Sequence, residues 1–162
     1  MKIKVNPFDK SSIDSAIKQL QEYKKDFLAK EQIFVKRLAE IGVSVASTGF
    51  AVADYDGIND VTVRLEWNGN KATVIAEGEA VGFIEFGTGI TNPEWDNSNM
   101  DYTPPKHGTY GKGHGAWPKG WYFTPGEGAV QHTMGNPPAE AMRTARDVMI
   151  EKVTQIAREV WR

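Results

Sequence analysis

The side chains that could carry chemistry in this chain are few. Histidine is the usual proton carrier and metal ligand near neutral pH, and there are three, His107, His114 and His132. The first two stand in KHGTYGKGHG, a glycine-rich stretch with no H-E-x-x-H pattern and no companion ligand at helical spacing. A metal centre wants ligands held on rigid elements and oriented by further partners, so these read as solvated loop histidines. GKGHG lacks the G-x-x-x-x-G-K-[ST] spacing, and the helix after it, that a phosphate loop needs. None of the serines sits in G-x-S-x-G. With no cysteine there is no thiolate nucleophile, thiolate metal site or disulfide. Glu77, Glu79 and Glu85 would share one face of a straight strand as a carboxylate set, but the turn signals between them break that alignment.

Glu85 stands in GFIEFGTGI, residues 82–90, between Ile84 and Phe86. Alternation places Ile84 and Phe86 toward a core and Glu85 on the polar side of a strand, as a surface or inter-subunit contact rather than a base. A second concentration of functional side chains is aromatic: Trp95, Tyr102, Tyr110, Trp117, Trp121, Tyr122 and Phe123, interleaved with Lys106, Lys112 and Lys119. Such a set can stack single-stranded nucleic acid or anchor a protein interface. A net charge of -2 and a pI near 5.9 weigh against binding driven by phosphate contacts, so Trp95, Tyr102, Tyr110, Trp117 and Trp121 are read as interface anchors. A small metal-dependent hydrolase using the histidines and a nucleic-acid-binding module remain the alternatives.

The elements that must position these residues follow from periodicity. Ile13, Ile17, Leu20, Phe27, Phe34, Leu38, Ile41 and Val45 repeat at alternating steps of four and three, interrupted only by Lys24 and Glu31. That spacing predicts a helix over about 11–48, with Ser11 as cap, Gly42 loosening the last turns and Gly49 as stop. Some 37 residues of helix reach roughly 55 Å, against a radius of gyration near 15 Å for a domain this size. Part of the stripe should then meet another subunit, or the helix should bend or divide.

VTVRLEW (61–67) alternates, NGN (68–70) is a hairpin turn, KATVIAEG (71–78) returns, and AVGFIEFGTG (80–89) is expected as the third strand of a meander. WYFT and AVQHT around PGEG predict a second hairpin, and IKV near the start an edge strand. Glycine and proline concentrate in 91–120, read as an extended loop. Met142, Ala145, Met149, Val153, Ile156 and Val160 predict a last helix from about Pro138, capped by Asn136. The order is α+β in one domain over 1–162: a long N-terminal helix, an antiparallel sheet with a long Gly/Trp-rich loop, and a C-terminal helix on the sheet. No apolar run is long enough for a membrane span, and MKIKVNPFDK shows no apolar leader, so a soluble protein that stays where it is made is expected.

Taken in order, FIEFGTGI, the Trp/Gly-rich stretch with GWYF, and HTMGNPPAEAMRTA resemble the minor tail-component, or tail-completion, family of long-tailed bacteriophages. SIDSAIKQLQEYK, LAEIGVSVA and YDG extend the likeness over almost the whole chain. Its motif residues are Phe86, Gly87, Thr88 and Gly89, then Pro138 and Met142. The chain departs at Ala139, Glu140 and Ala141, where the family often has a bulky and a further apolar residue. The resemblance implies a non-enzymatic structural protein of the virion neck, assembled in the bacterial host cytoplasm. It implies a self-assembled ring such as a hexamer, contacts with other neck and tail proteins, DNA only passing through the channel, and no cofactor, membrane or small-molecule substrate.

Overall fold

The structure, a computed structural model, describes residues 2–88, 121–124, 128–133 and 135–162. Helix α1 runs unbroken over Lys10–Ala51, 42 residues, or about 63 Å at the α-helical rise. It is one helix, neither divided nor stopped at Gly49. Its cap is Asp9, whose carboxylate accepts from the Ser11 backbone N–H at 3.0 Å. The expected cap, Ser11, is therefore already inside the helix. Ile3, Lys4 and Val5 form no edge strand.

Strands β1 (Thr62–Asn68) and β2 (Lys71–Glu77) form the expected antiparallel hairpin, with Asn68 paired to Lys71 and Thr62 to Glu77. The turn glycine, Gly69, has φ +66°, which a glycine adopts without steric penalty. Val61, Val63 and Ala76 turn toward the core while Arg64 and Glu77 form a two-pronged ion pair on the wet face, with N–O distances of 3.0 and 2.7 Å.

Among the described residues, no third strand joins this pair. Residues Val81–Phe86 form a short helix, α2. A second hairpin, β3 (Trp121–Phe123) with β4 (Gln131–Thr133), stands as a separate two-stranded sheet. The chain ends in helix α3, Ala141–Val160.

Helix α3 runs antiparallel along the second half of α1. Its first residue, Ala141, meets Gly49, Met149 meets Gly42, Glu159 pairs with Arg37 at 2.7 Å, and Trp161 stacks against Phe34 at 5.2 Å and Phe27 at 6.1 Å. The two glycines that look like weak points of α1 are its contact points. A Cβ on Gly49 would lie 2.8 Å from the Ala141 Cβ, and one on Gly42 2.6 Å from the Met149 Sδ. Without side chains there, the helices approach closely, and the packing outweighs the helix-propensity cost of about 1 kcal/mol per glycine. On α3, Ala145 and Ile156 are buried and Met142, Met149 and Val160 half-buried, as the spacing predicts, while Val153 lies in the open.

The deepest core sits at the C-terminal end of α1. Phe50 and Ile84, 2 % and 0 % exposed, pack with Ala80 and Ala141, ringed by Tyr55, Val81 and Met142. Most of the other half of α1 is bare. Ile13, Ile17, Leu20 and Tyr23 remain exposed along one face, while Phe27 is partly covered by Trp161.

Candidate functional site

Helix α2 owes its shape to partners far away in the chain. Just before its start, Asp60 fixes the incoming chain: its carboxylate accepts from the backbone N–H of Glu79 at 2.6 Å and from that of the N-cap residue, Ala80, at 2.9 Å. These bonds, Ala80 first, hold the Asp60 carboxyl below its ordinary range. At its end, the last carbonyls are claimed by residues 136–140. Phe83 O accepts from Asn136 Nδ2 at 2.9 Å, Ile84 O from Ala139 N at 2.8 Å, and Glu85 O from Glu140 N at 3.2 Å.

Glu85 returns the favour to α3. Its carboxylate, in a residue 5 % exposed, accepts from Met142 N at 3.0 Å and Arg143 N at 3.2 Å. The residue that formally precedes α3, Glu140, has φ +49° and makes no side-chain capping bond. Glu85 therefore caps α3 across a tertiary contact, and its position suits the positive end of the helix dipole. Burial pushes its carboxyl above the ordinary value, against the opposing pull of the Met142 and Arg143 N–H groups. Alternation in the sequence puts Glu85 on a polar strand face, as an outward contact. The structure corrects this: Glu85 is on a helix, buried, and engaged within its own chain.

Asn136 is likewise not the cap of the last helix, which starts five residues later, at Ala141. It pairs with Thr88 through both backbones, at 2.9 and 2.8 Å, and through the Thr88 hydroxyl, which donates to Asn136 Oδ1 at 2.6 Å. Between α2 and this bridge the chain turns at Gly87, φ +70°, where a Cβ would lie 2.6 Å from Pro138 N and 2.7 Å from Asn136 O. Here the sequence motif closes on itself. Phe86 ends α2, Gly87 abuts Pro138, Thr88 holds Asn136, and Met142 sits on Glu85. Residues 86–88 and 138–142, remote in the chain, are one junction.

Beside the junction lies a groove. Tyr55, Phe83 and Phe123 line a cavity of about 210 Å³ together with Thr88 and Asn136. The same three aromatics border a second cavity, about 240 Å³, that opens toward Ile58, Asp60 and Glu79. Asp56 also lines the first cavity and accepts from the Thr133 hydroxyl at 2.7 Å. Burial, and then the nearby Asp60 charge, raise the Tyr55 phenol above its ordinary value.

Trp121 opens β3. His132 lies on β4 with its ring 4.9 Å from that of Tyr122. Gly89, Trp95, Tyr102, His107, Tyr110, His114 and Trp117 lie outside the described residues, as does the 91–120 loop. Among the described residues, no three His, Asp or Glu side chains are placed to share a metal ion, and no helix is long and apolar enough to cross a membrane.

Asp60 and Tyr55 are the site residues that sequence reasoning missed. Asp60 bonds to residues 19 and 20 positions on, a separation at which no capping pattern is legible. Compared with family models, with curated proteins and with solved structures, the chain matches none.

Proposed function

We propose that this protein is a structural component of a tailed-phage virion or prophage, forming an oligomeric ring in tail completion or head–tail joining. The observation that carries this reading is the bare half of α1. An apolar stripe from Ile13 to Tyr23, on a helix reaching far beyond its own core, is a costly surface to leave in water. A ring subunit buries such a face against its neighbours.

The motif resemblance supports the same reading, since its two distant halves meet in one junction. That junction is built for rigidity: the hydrogen-bonding groups of Asp60, Glu85, Thr88 and Asn136 are spent on backbone and on one another. A rigid elbow joining two helices suits a ring subunit that must hold its shape under force, and it offers no nucleophile–base pair for turnover. On this reading the aromatic anchors, Trp121 and those of the 91–120 segment, contact neighbouring subunits or neck and tail proteins.

The test is genetic and microscopic. Deleting the gene from the phage or inducible prophage that carries it should leave filled heads and separate tails in the lysate, with joining restored by the gene in trans. Normal joined particles in the deletion strain would refute the reading. So would absence of the protein from purified wild-type particles by mass spectrometry.

A further inference from the structure

The two ends of the molecule carry complementary surfaces. Around the bare half of α1, residues 2–26 hold six lysines against four acids, a balance of +2. Their apolar face is Ile13, Ile17 and Leu20, at 38, 47 and 54 % exposure. At the opposite end, residues 52–60 carry Asp54, Asp56 and Asp60 with no basic residue, and Glu79 adds a fourth acid. The apolar groups there are Val52 and Ile58, 77 and 64 % exposed, beside the groove of Tyr55, Phe83 and Phe123.

From Ile17 to the end of α1 is about 50 Å of continuous helix. A rigid rod cannot fold its own basic apolar end onto its own acidic apolar end. A second copy can. We infer that the basic α1 overhang of one copy docks on the acidic groove end of the next, a head-to-tail contact between copies of this chain.

Charge selects this pairing over its competitors. Two overhangs side by side bring like charge together, and so do two groove ends, whereas the mixed contact brings lysines to aspartates and apolar surface to apolar surface. A contact between two different surfaces repeats at each new copy, closing into a ring when the rotation allows and otherwise running on as a filament. The inference rests on the ring-forming reading above and supplies the surfaces through which the ring forms.

Charge exchange in the full chain tests it. The variants are K10E/K24E on the overhang, whose lysines share or border the face of Ile13, Ile17 and Leu20, D54K/E79K on the groove end, and the fourfold combination. None of these side chains belongs to the hydrogen-bonded junction, and Asp60 is left intact because it caps α2. Sedimentation velocity over a concentration series at low ionic strength reads the association. Each double variant should weaken it by about tenfold or more, and the fourfold variant, whose ends are complementary again with the signs reversed, should restore it. Added salt should weaken the wild type and the fourfold variant alike.

A wild-type protein that stays monomeric throughout would overturn the inference. So would association indifferent to both double variants, or a fourfold variant no better than either. Because the chain has no cysteine, Ile17→Cys alone supplies a further check. Efficient disulfide dimers of that variant would mean overhang pairs with overhang, which also overturns it. Charge-dependent association of a protein absent from phage particles would leave this contact standing and remove the head–tail role. A particle protein whose association ignores both ends would do the reverse.

Discussion

Replacing Glu85 with alanine removes the acceptor of two backbone donors at the start of α3, Met142 N and Arg143 N. Each donor left unpaired in a dry site costs about 1–3 kcal/mol. Met142 and Arg143 are only half-buried, so water can recover part of the loss, and the lower half of the range applies. The expected cost is then about 2–4 kcal/mol, several times that of Asp9→Ala at the exposed start of α1, about 0.5–1 kcal/mol. For a chain of this size that corresponds to a fall in Tm of roughly 5–12 °C.

Glu85→Gln keeps one oxygen facing the donors and should lose less. The same pair of proteins gives a pH test with a definite sign. Burial raises the folded-state carboxyl above the ordinary value of 4.5. Stabilisation by Glu85 is therefore full below that value and declines as pH rises through the raised folded-state value. Wild type should exceed Glu85→Gln by most in acid, and the gap should narrow toward neutral pH. Urea unfolding of the three proteins between about pH 4 and 8 measures all of this. A Glu85→Ala protein within about 0.5 kcal/mol of wild type would refute the capping role, and a gap that widens with pH would refute the dominance of burial.

Gly87→Ala should destabilise by about 2–4 kcal/mol, because φ is +70° and the new Cβ meets the backbone of Asn136 and Pro138 below 3 Å; thermal melting checks it. Gly49→Ala should cost more than Gly42→Ala, since the first meets the Ala141 backbone at 3.1 Å and the second meets side chains alone, the end of Met149 at 2.6 Å and Val74 Cγ2 at 3.1 Å; the order of their melting temperatures decides. Ile156→Ala, at 3 % exposure in the α1–α3 seam, should cost about 2–5 kcal/mol, measured by urea unfolding, and Met149→Asp, which sets a charge against Gly42 and Val74, should also unfold at lower urea.

What could be read directly from the sequence is what local chemistry determines. The four-three stripe specifies the course of α1 whatever it packs against, because the spacing alone aligns Ile13 through Val45 on one face. Alternation and a glycine able to take positive φ specify the β1–β2 hairpin almost residue for residue, and WYFT and AVQHT around PGEG place β3 and β4. The α+β order followed from these.

Three things depended on residues distant in the chain. Six apolar-rich residues, 81–86, satisfy a strand pattern and a helix turn equally, and among the described residues no strand offers them a ladder. Asp60 on one side and residues 136–140 on the other supply the bonds that make them helical. Glycines within a helix read as weakness from propensity alone, whereas Gly42 and Gly49 are the places where α3 comes close. A carboxylate between two hydrophobes gives no sign of where it points. Glu85 became a cap only because the tertiary fold carried the first N–H groups of α3, 57 and 58 residues away, onto its oxygens. Propensity and periodicity act over a turn or two of chain. Donor and acceptor satisfaction acts over the whole folded molecule, and at this junction it overrode the local pattern.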